Sequence, residues 1–321
     1  MTAQDKRTIA LGLVGECSAQ LATLSDAASV RALVDGLAAR AFAVQGGAGD
    51  RPYFTRTMSQ LAHLLRSCGW VDIARETLDW SIERGALDGH LLSEVAECHL
   101  ARGDMEAAEA TLARAIAARV STDAIFTSLV KAYGRAGRPE QARVVFELAR
   151  DAGAVTAFTY PALIAAYGAA GDPGNARRMF DCARADGFLS APAFAALATA
   201  VAMAGDLDAL DGVLAEARAA GQMTARLALA AVRARVDARQ YAAARRVLEE
   251  ARTEGMADLM CYITIITACH KAGRHREAKR VLLSALHDAT LGVEEIKRVR
   301  GAHARGRRPA VAAAATRTLA A

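Results

Sequence analysis

Residues 125–137 read IFTSLVKAYGRAG, and residues 159–171, 34 positions later, read TYPALIAAYGAAG. Both segments carry apolar residues at intervals of three and four, which places those side chains on one face of an α-helix. Both segments end in glycine, which readily adopts the positive φ that terminates a helix. Each segment is therefore predicted to be a helix that stops at its final glycine.

The 34-residue spacing continues through most of the chain without an insertion. A small residue follows each turn position by five residues, and it is alanine except at Leu210. A small side chain there lets a second helix pack closely against the first, so each unit is predicted to be a helical hairpin. The seven turn positions are Gly69, Gly103, Gly137, Gly171, Gly205, Arg239 and Gly273.

The repeat decides the predicted fold class. One hairpin cannot bury its own apolar face, whereas a stack of hairpins forms a continuous core. The chain is therefore predicted to be an all-α, right-handed solenoid of helix–turn–helix repeats with a period of 34 residues. Residues 1–51 are expected to form an N-terminal helical cap, 52–289 the seven repeats, and 290–321 a C-terminal cap helix and a basic flexible tail.

The composition agrees with a helical protein that has a large core. Of the 321 residues, 53% are hydrophobic and only 5% are aromatic, and the abundant alanine and leucine are strong helix formers. No stretch has the length and apolar character of a membrane span, and the N-terminal segment lacks the features of a cleaved leader. The cytosol is the expected compartment, with an organelle matrix as the alternative.

Little in the sequence indicates catalysis or a cofactor. The glycines of residues 46–49 follow no predicted strand and precede no Gly-Lys-Ser/Thr, so they do not form a phosphate-binding loop. Trp70 and Trp80 are expected to be packing residues rather than base-stacking ones. No enzymatic activity, metal, cofactor or small-molecule substrate is expected.

The cysteines and histidines do not have the spacing of a zinc site. The six cysteines are scattered without a paired framework, and they are expected to be buried and reduced. The densest group of possible ligands is predicted to consist of core cysteines and surface histidines. This group comprises Cys261, Cys269, His270 and His275.

The segment from residue 122 to residue 186 resembles the pentatricopeptide repeat family. The resemblance is carried by the segments 125–137 and 158–164, and residues 261–286 share it. It includes a Leu/Ile pair in the first helix, a basic residue, alanine and glycine in the turn, and a glycine after the second helix. With weaker matches, it covers about residues 52–289.

Two features resemble tetratricopeptide repeats instead. These repeats are 34 residues long, and their second helix carries alanine where Ala149 and Ala183 stand. Both families imply the same helical-repeat architecture, but they imply different partners. The pentatricopeptide resemblance implies single-stranded RNA, which is the favoured ligand, and the tetratricopeptide resemblance implies a protein segment.

The RNA hypothesis predicts base-contacting side chains at two places in each repeat. One column lies within the first helix, and only Ser93 and Thr127 in it can form hydrogen bonds through a side chain. The other column lies just before the first helix; all its members are polar, and Thr122 and Thr156 are the candidates for base contact. Such residues also cap helices, which is their expected main role. The column before the helix is Asp88, Thr122, Thr156, Ser190, Thr224 and Asp258.

Phosphate contacts require basic side chains. Residues 294–321 hold seven basic and two acidic residues, which accounts for the whole formal charge of +5. The remainder of the chain is formally neutral. The basic tail is therefore expected either to supply nonspecific affinity for polyanions or to act as a solubilising tail. The candidate phosphate-binding residues are Arg66, Arg102, Arg135 and Lys271 at the ends of first helices, and Arg305, Arg307 and Arg308 in the tail.

Two first helices favour the alternative partner. Residues 157–171 and 191–205 contain no charged side chain. An uncharged surface suits an apolar protein segment better than a polyanion. It is equally typical of a tightly closed superhelix with little groove.

Overall fold

The computed structural model describes residues 3–43, 51–288 and 290–305 of the chain. These residues form seventeen α-helices and contain no strand. The prediction of an all-α fold is therefore confirmed. The glycine-rich segment at residues 46–49 and the tail from residue 306 onward lie outside the described residues.

The chain divides into two compact units, Met1–Thr159 and Tyr160–Ala321. The helices of the first unit are α1 (Ala3–Leu21), α2 (Ala27–Ala43), α3 (Arg51–Ser67), α4 (Val71–Glu83), α5 (Gly89–Ala101), α6 (Met105–Ala117), α7 (Asp123–Arg135) and α8 (Pro139–Asp151). Within this unit α3 pairs with α4, α5 with α6, and α7 with α8, and each first helix packs against the next.

Helix α9 (Thr159–Ala169) begins at the boundary and leads into the second unit. The helices that follow are α10 (Pro173–Ala185), α11 (Ala191–Met203), α12 (Leu207–Ala219), α13 (Ala225–Asp237), α14 (Tyr241–Thr253), α15 (Leu259–Lys271), α16 (His275–Leu286) and α17, residues 293–305. The α11/α12, α13/α14 and α15/α16 pairs are antiparallel hairpins, and α11, α13 and α15 pack in succession.

The turn inside each hairpin has the conformation that the sequence predicts. Between α7 and α8, Gly137 has a φ of 69°, and the amide of Arg138 donates to the carbonyl of Tyr133 at 2.9 Å. This pairing closes the helix in a Schellman motif. All seven predicted turn positions have positive φ, including Arg239 at 58°. A non-glycine residue in this region costs about 1 kcal/mol or more, so the repeat geometry is maintained at Arg239 against the local preference of the side chain.

Small side chains permit the close packing within each hairpin. The alanine column of the second helices is fully buried, and so is Leu210, which replaces alanine in one repeat. In α7 the apolar side chains of Phe126, Leu129, Val130 and Tyr133 are buried against neighbouring helices. The buried residues of the alanine column are Ala74, Ala108, Ala142, Ala176, Ala244 and Ala278.

The N-terminal helices extend the core of the first unit. Helix α1 packs against α3, and α2 packs against α4. The ring centroid of Trp80 lies 5.9 Å from that of Phe42 and 6.1 Å from that of Phe54. The guanidinium carbon of Arg84 lies 3.9 Å from the centroid of the Trp80 ring. Trp70 packs against the same cluster. Both tryptophans are therefore packing residues, as predicted.

A buried tyrosine–carboxylate bond ties a first helix to the end of its hairpin. The hydroxyl of Tyr262 donates to Asp288, which also accepts from the amide of Thr290 at 3.0 Å. Burial raises the pKa of Asp288, but the hydrogen bonds from Tyr262 and Thr290 outweigh it and hold this pKa below its usual value. Tyr160 and Asp186 form the same bond across the same spacing in an earlier repeat.

The cysteines divide into two groups. Cys17, Cys98, Cys261 and Cys269 are buried, and burial raises the pKa of the Cys98 thiol to about 11 and of the Cys261 thiol to about 12. These thiols are therefore protonated at neutral pH, as expected for core residues. The expectation of burial is wrong for the other two, Cys68 and Cys182, which are exposed.

The histidine at the end of α15 also differs from its prediction. His270 is only 8% exposed rather than at the surface, because it lies between His275 and His303 of α17. Its ring nitrogens are 2.9 Å and 3.0 Å from theirs. In the described part of the chain, no group of three or more His, Cys, Asp or Glu side chains is arranged to hold a metal ion. None of the described helices combines the length and the apolar character needed to cross a membrane.

Candidate nucleic-acid interface

In each unit the first helices present a recurrent set of positions, which we name the first-helix stripe of that unit, and which is found from α5 to α7 and from α9 to α15. It consists of the second, ninth and thirteenth residues after each N-cap position, which fall within about 40° of one another around a helix of 3.6 residues per turn. At α9 the first of these, Phe158, lies one residue before the helix begins. Nearly all of these residues are exposed. The stripe comprises His90, Glu97 and Ala101; Ala124, Lys131 and Arg135; Phe158, Ala165 and Ala169; Pro192, Thr199 and Met203; Arg226, Arg233 and Asp237; and Met260, Thr267 and Lys271.

The two predicted base-contacting residues within first helices lie beside the stripe and differ in exposure. Ser93 is partly exposed on α5. Thr127 is only 7% exposed, and its hydroxyl lies 3.0 Å from that of Thr159. Because this hydroxyl already has a partner within the chain, Ser93 has the greater capacity to contact a ligand.

The polar column before the first helices caps only part of them. The side chains of Asp88, Thr224 and Asp258 accept from the backbone amide three residues later, at 2.8, 3.3 and 2.9 Å. The capping prediction is confirmed at these positions. Thr156 accepts from the amide of Phe158 at 3.2 Å, two residues later.

Two members of the same column do not cap their helices. Thr122 and Ser190 precede α7 and α11, and neither side chain forms a capping hydrogen bond. The Ser190 hydroxyl oxygen is buried. Thr122 is partly exposed, so it is the member of the column whose hydroxyl is least committed to local structure.

Two predicted phosphate-binding arginines are engaged in ion pairs. Arg66 lies 3.3 Å from Glu94 and 3.5 Å from Glu97 on the first helix of the next repeat. Arg102 lies 2.9 Å from Asp72. These acids stand about one repeat length away in the sequence, which is the signal that would have revealed the pairing. A phosphate would have to compete with these carboxylates for both arginines.

The basic residues on the stripe are more available. Arg135 and Lys271 are exposed, as are Lys131, Arg226 and Arg233. Within the described residues none of these five forms an ion pair. The last three were not among the predicted residues, because the prediction considered helix ends and the two base-reading columns, not the second and ninth positions after the N-cap. Arg305 lines a cleft between α15 and α17. Arg307 and Arg308 lie outside the described residues.

The chemistry of the stripe changes along the second unit. Helix α11 contributes no charge to it, and Met203 at its end is 65% exposed. Helix α13 contributes Arg226 and Arg233 with one acid, Asp237, and α15 contributes Lys271. The stripe is therefore uncharged at α11 and positive at α13 and α15.

Two arginines on the second helices of the same unit form ion pairs with carboxylates of later second helices or their ends. Arg177 lies 2.8 Å from Glu216, and Arg218 lies 2.8 Å from both Glu250 and Glu254. Burial raises the pKa of Glu216, but Arg177 and a second arginine outweigh it and lower this pKa below its usual value. Arg177 and Arg218 are thus neutralised by carboxylates, whereas Arg226, Arg233 and Lys271 of the stripe form no ion pair within the described residues.

These observations define an α-helical repeat protein with a recurrent exposed face on its first helices. The family model of the PPR repeat matches residues 124–153, 158–188 and 260–284, so these three segments are similar to pentatricopeptide repeats. These three segments include α7, α9 and α15, all of which contribute to the stripe. No curated protein matches the chain.

Solved structures share the fold at low identity. The pentatricopeptide repeat protein PPR10 in complex with an 18-nt psaJ RNA element is 22% identical, with a TM-score of 0.52, over 91% of this chain and 45% of that one. A structure of the pentatricopeptide repeat protein PPR10 from maize is 21% identical, with a TM-score of 0.48, over 94% of this chain and 41% of that one. A tetratricopeptide repeat protein from Parabacteroides merdae is 14% identical, with a TM-score of 0.47, over 78% of this chain and 98% of that one. The chain spans less than half the length of the PPR10 structures.

Proposed function

We propose that this chain is a non-catalytic scaffold that binds single-stranded RNA along the first-helix stripe. The observation that carries the proposal is the set of unpaired cations on the stripe of the second unit: Arg226, Arg233 and Lys271. The pentatricopeptide repeat match and the shared fold of an RNA-bound protein support it. Cations that lack carboxylate partners are available to phosphates without a competing ion pair.

The proposed contacts are mainly with the RNA backbone. Lysine and arginine side chains bind phosphates and release condensed counterions, which makes the affinity dependent on salt. Exposed apolar side chains on the stripe, such as Phe158 and Met260, offer surfaces on which bases can pack. Ser93 and Thr122 are the polar side chains proposed to contact bases. Since few repeats present such groups, the proposed binding tolerates many RNA sequences.

Removal of the three stripe cations tests this proposal. The combined variant Arg226→Ala, Arg233→Ala and Lys271→Ala is expected to bind random single-stranded RNA at least about tenfold more weakly, measured by fluorescence anisotropy. The slope of log affinity against log salt is expected to become shallower by about 2, since each phosphate contact on a single strand contributes about 0.7.

A matched variant controls for net charge. Arg246→Ala, Lys279→Ala and Arg280→Ala removes three exposed cations from the second helices α14 and α16. It is expected to change the affinity by no more than about twofold, since these positions lie off the stripe. An equal loss in both variants would refute the stripe as the binding surface.

A protein segment is the second candidate partner, and one observation favours it. Residues 191–205 carry no charge, and Met203 exposes 65% of its surface at the end of α11. An exposed apolar side chain on an uncharged helix suits an apolar partner. If the unmodified chain fails to bind random single-stranded RNA even at low salt, this second function is favoured.

A further inference from the structure

A cleft of about 510 Å³ lies between the start of α15 and helix α17. Leu259, Met260 and Ile263 form its apolar wall, and Met260 is 41% exposed. The volume falls within the range typical of sites that bind small molecules or single chemical groups of larger ones. One wall of the cleft therefore offers an apolar surface large enough for a nucleobase.

The opposite wall is basic. Helix α17 contributes Lys297, Arg298 and Arg305 to the cleft, together with one acid, Glu294. Glu294 lies 2.6 Å from Lys297, so its carboxylate neutralises that ammonium. Within the described residues, Arg298 and Arg305 form no ion pair. The net charge of the lining is thus about +2, which matches a phosphate monoester at neutral pH.

A glycine in the middle of α17 forms part of the cleft wall beside Arg305. Gly301 lines the cleft, and a Cβ at this position would lie 3.4 Å from Nη1 of Arg305. The guanidinium of Arg305 therefore lies close over the glycine. A Cβ there would make an ordinary van der Waals contact with Arg305, whereas a longer side chain would extend into the cleft.

We infer that this cleft binds the phosphorylated end of an RNA strand. The terminal phosphate is held by Arg298 and Arg305, and the terminal nucleoside packs against Met260 and Ile263. A terminal monoester carries nearly two negative charges at neutral pH, whereas a phosphodiester within the strand carries only one. The charge of the cleft thus favours an end over an internal nucleotide. The assignment of an RNA strand as the ligand rests on the proposed function. A nucleoside monophosphate alone carries the phosphate and the base that would occupy the cleft.

The test compares three forms of one short oligoadenylate with the full chain: 5′-phosphorylated, 3′-phosphorylated and unphosphorylated. One phosphorylated form is expected to bind about tenfold more tightly than the unphosphorylated form in fluorescence anisotropy, because charged hydrogen bonds to arginine are strong. The form that gains identifies the end of the strand that the cleft receives. Equal binding of all three forms would overturn the inference.

Three variants locate the effect. Gly301→Leu, which fills the cleft, and the double variant Arg298→Ala and Arg305→Ala are each expected to abolish the preference for a phosphorylated end. Gly301→Leu, which keeps both arginines, should bind the unphosphorylated form as the unmodified chain does, to within about twofold. Arg300→Ala removes an exposed arginine of α17 that does not line the cleft, so it should leave the preference intact. Loss of the preference in Arg300→Ala would also overturn the inference.

Titration with adenosine monophosphate separates this inference from the proposed function. If the unmodified chain binds the mononucleotide and Gly301→Leu does not, the cleft is supported as a phosphate-binding site even if no RNA binds the stripe. RNA binding without any response to a terminal phosphate or to the mononucleotide refutes the cleft alone. Circular dichroism on each variant confirms that the helices are retained.

Discussion

Gly168→Leu is expected to lower the free energy of unfolding by about 3 kcal/mol. The reason is the close approach of two first helices, α9 and α11. A Cβ at Gly168 would lie 2.6 Å from the Cβ and 3.0 Å from the Cα of Ala200. Because one of these atoms is backbone, a side-chain rotation cannot relieve the clash, and the helices would have to separate. Overpacking of this kind disturbs the stacking of neighbouring repeats.

A glycine with free space around it provides the control. Gly212 lies within α12, is exposed, and a Cβ added there meets no atom within 4 Å. Gly212→Ala is expected to raise the free energy of unfolding by up to about 1 kcal/mol, since alanine is the better helix former. Urea unfolding followed by circular dichroism compares the two variants. An unfolding midpoint for Gly168→Leu equal to that of the unmodified chain would contradict the close approach of α9 and α11.

Asp211→Ala is expected to cost about 2–3 kcal/mol of stability. Its carboxylate pairs with Arg235, whose side chain is only 5% exposed, whereas that of Asp211 is 62% exposed. Removing the carboxylate leaves a buried guanidinium with one further hydrogen bond, to the carbonyl of Ala231 at 3.2 Å. A buried charge without its partner is strongly destabilising.

Adding Arg235→Met to Asp211→Ala is expected to restore most of that loss. An apolar side chain of similar length fills the space and has no charge to be neutralised. Urea unfolding of the two single variants and the double variant gives the coupling between the residues. If the double variant is as unstable as Asp211→Ala, the cost arises from something other than the unpaired guanidinium.

The helices and turns could be predicted from the sequence because the repeat imposes the same local demands in each unit. All seven turn positions have positive φ, and the glycine at six of them indicated this conformation in the sequence. Arg239 shows that position in the repeat outweighs residue type, since its own preference is against this conformation. The exposure of Cys68 and Cys182 was not predictable from residue type alone, because cysteine is usually buried.

The candidate interface was predicted only in part. The exposed ends of first helices gave Arg135 and Lys271, whereas Arg66 and Arg102 proved to be ion-paired with acids about one repeat away. Pairing between repeats depends on side-chain geometry that periodicity does not specify. In the same way, the cleft beside Gly301 depends on how α17 packs on α15, which the sequence of either helix leaves open.

Photo-crosslinking of random single-stranded RNA containing 4-thiouridine, followed by mass spectrometry of the crosslinked peptides, tests the central claim most directly. We expect the crosslinks to concentrate in the first helices, particularly in α13 and α15, where the stripe is positive. Crosslinks concentrated in the second helices α14 and α16, or none under conditions in which the RNA is bound, would contradict it.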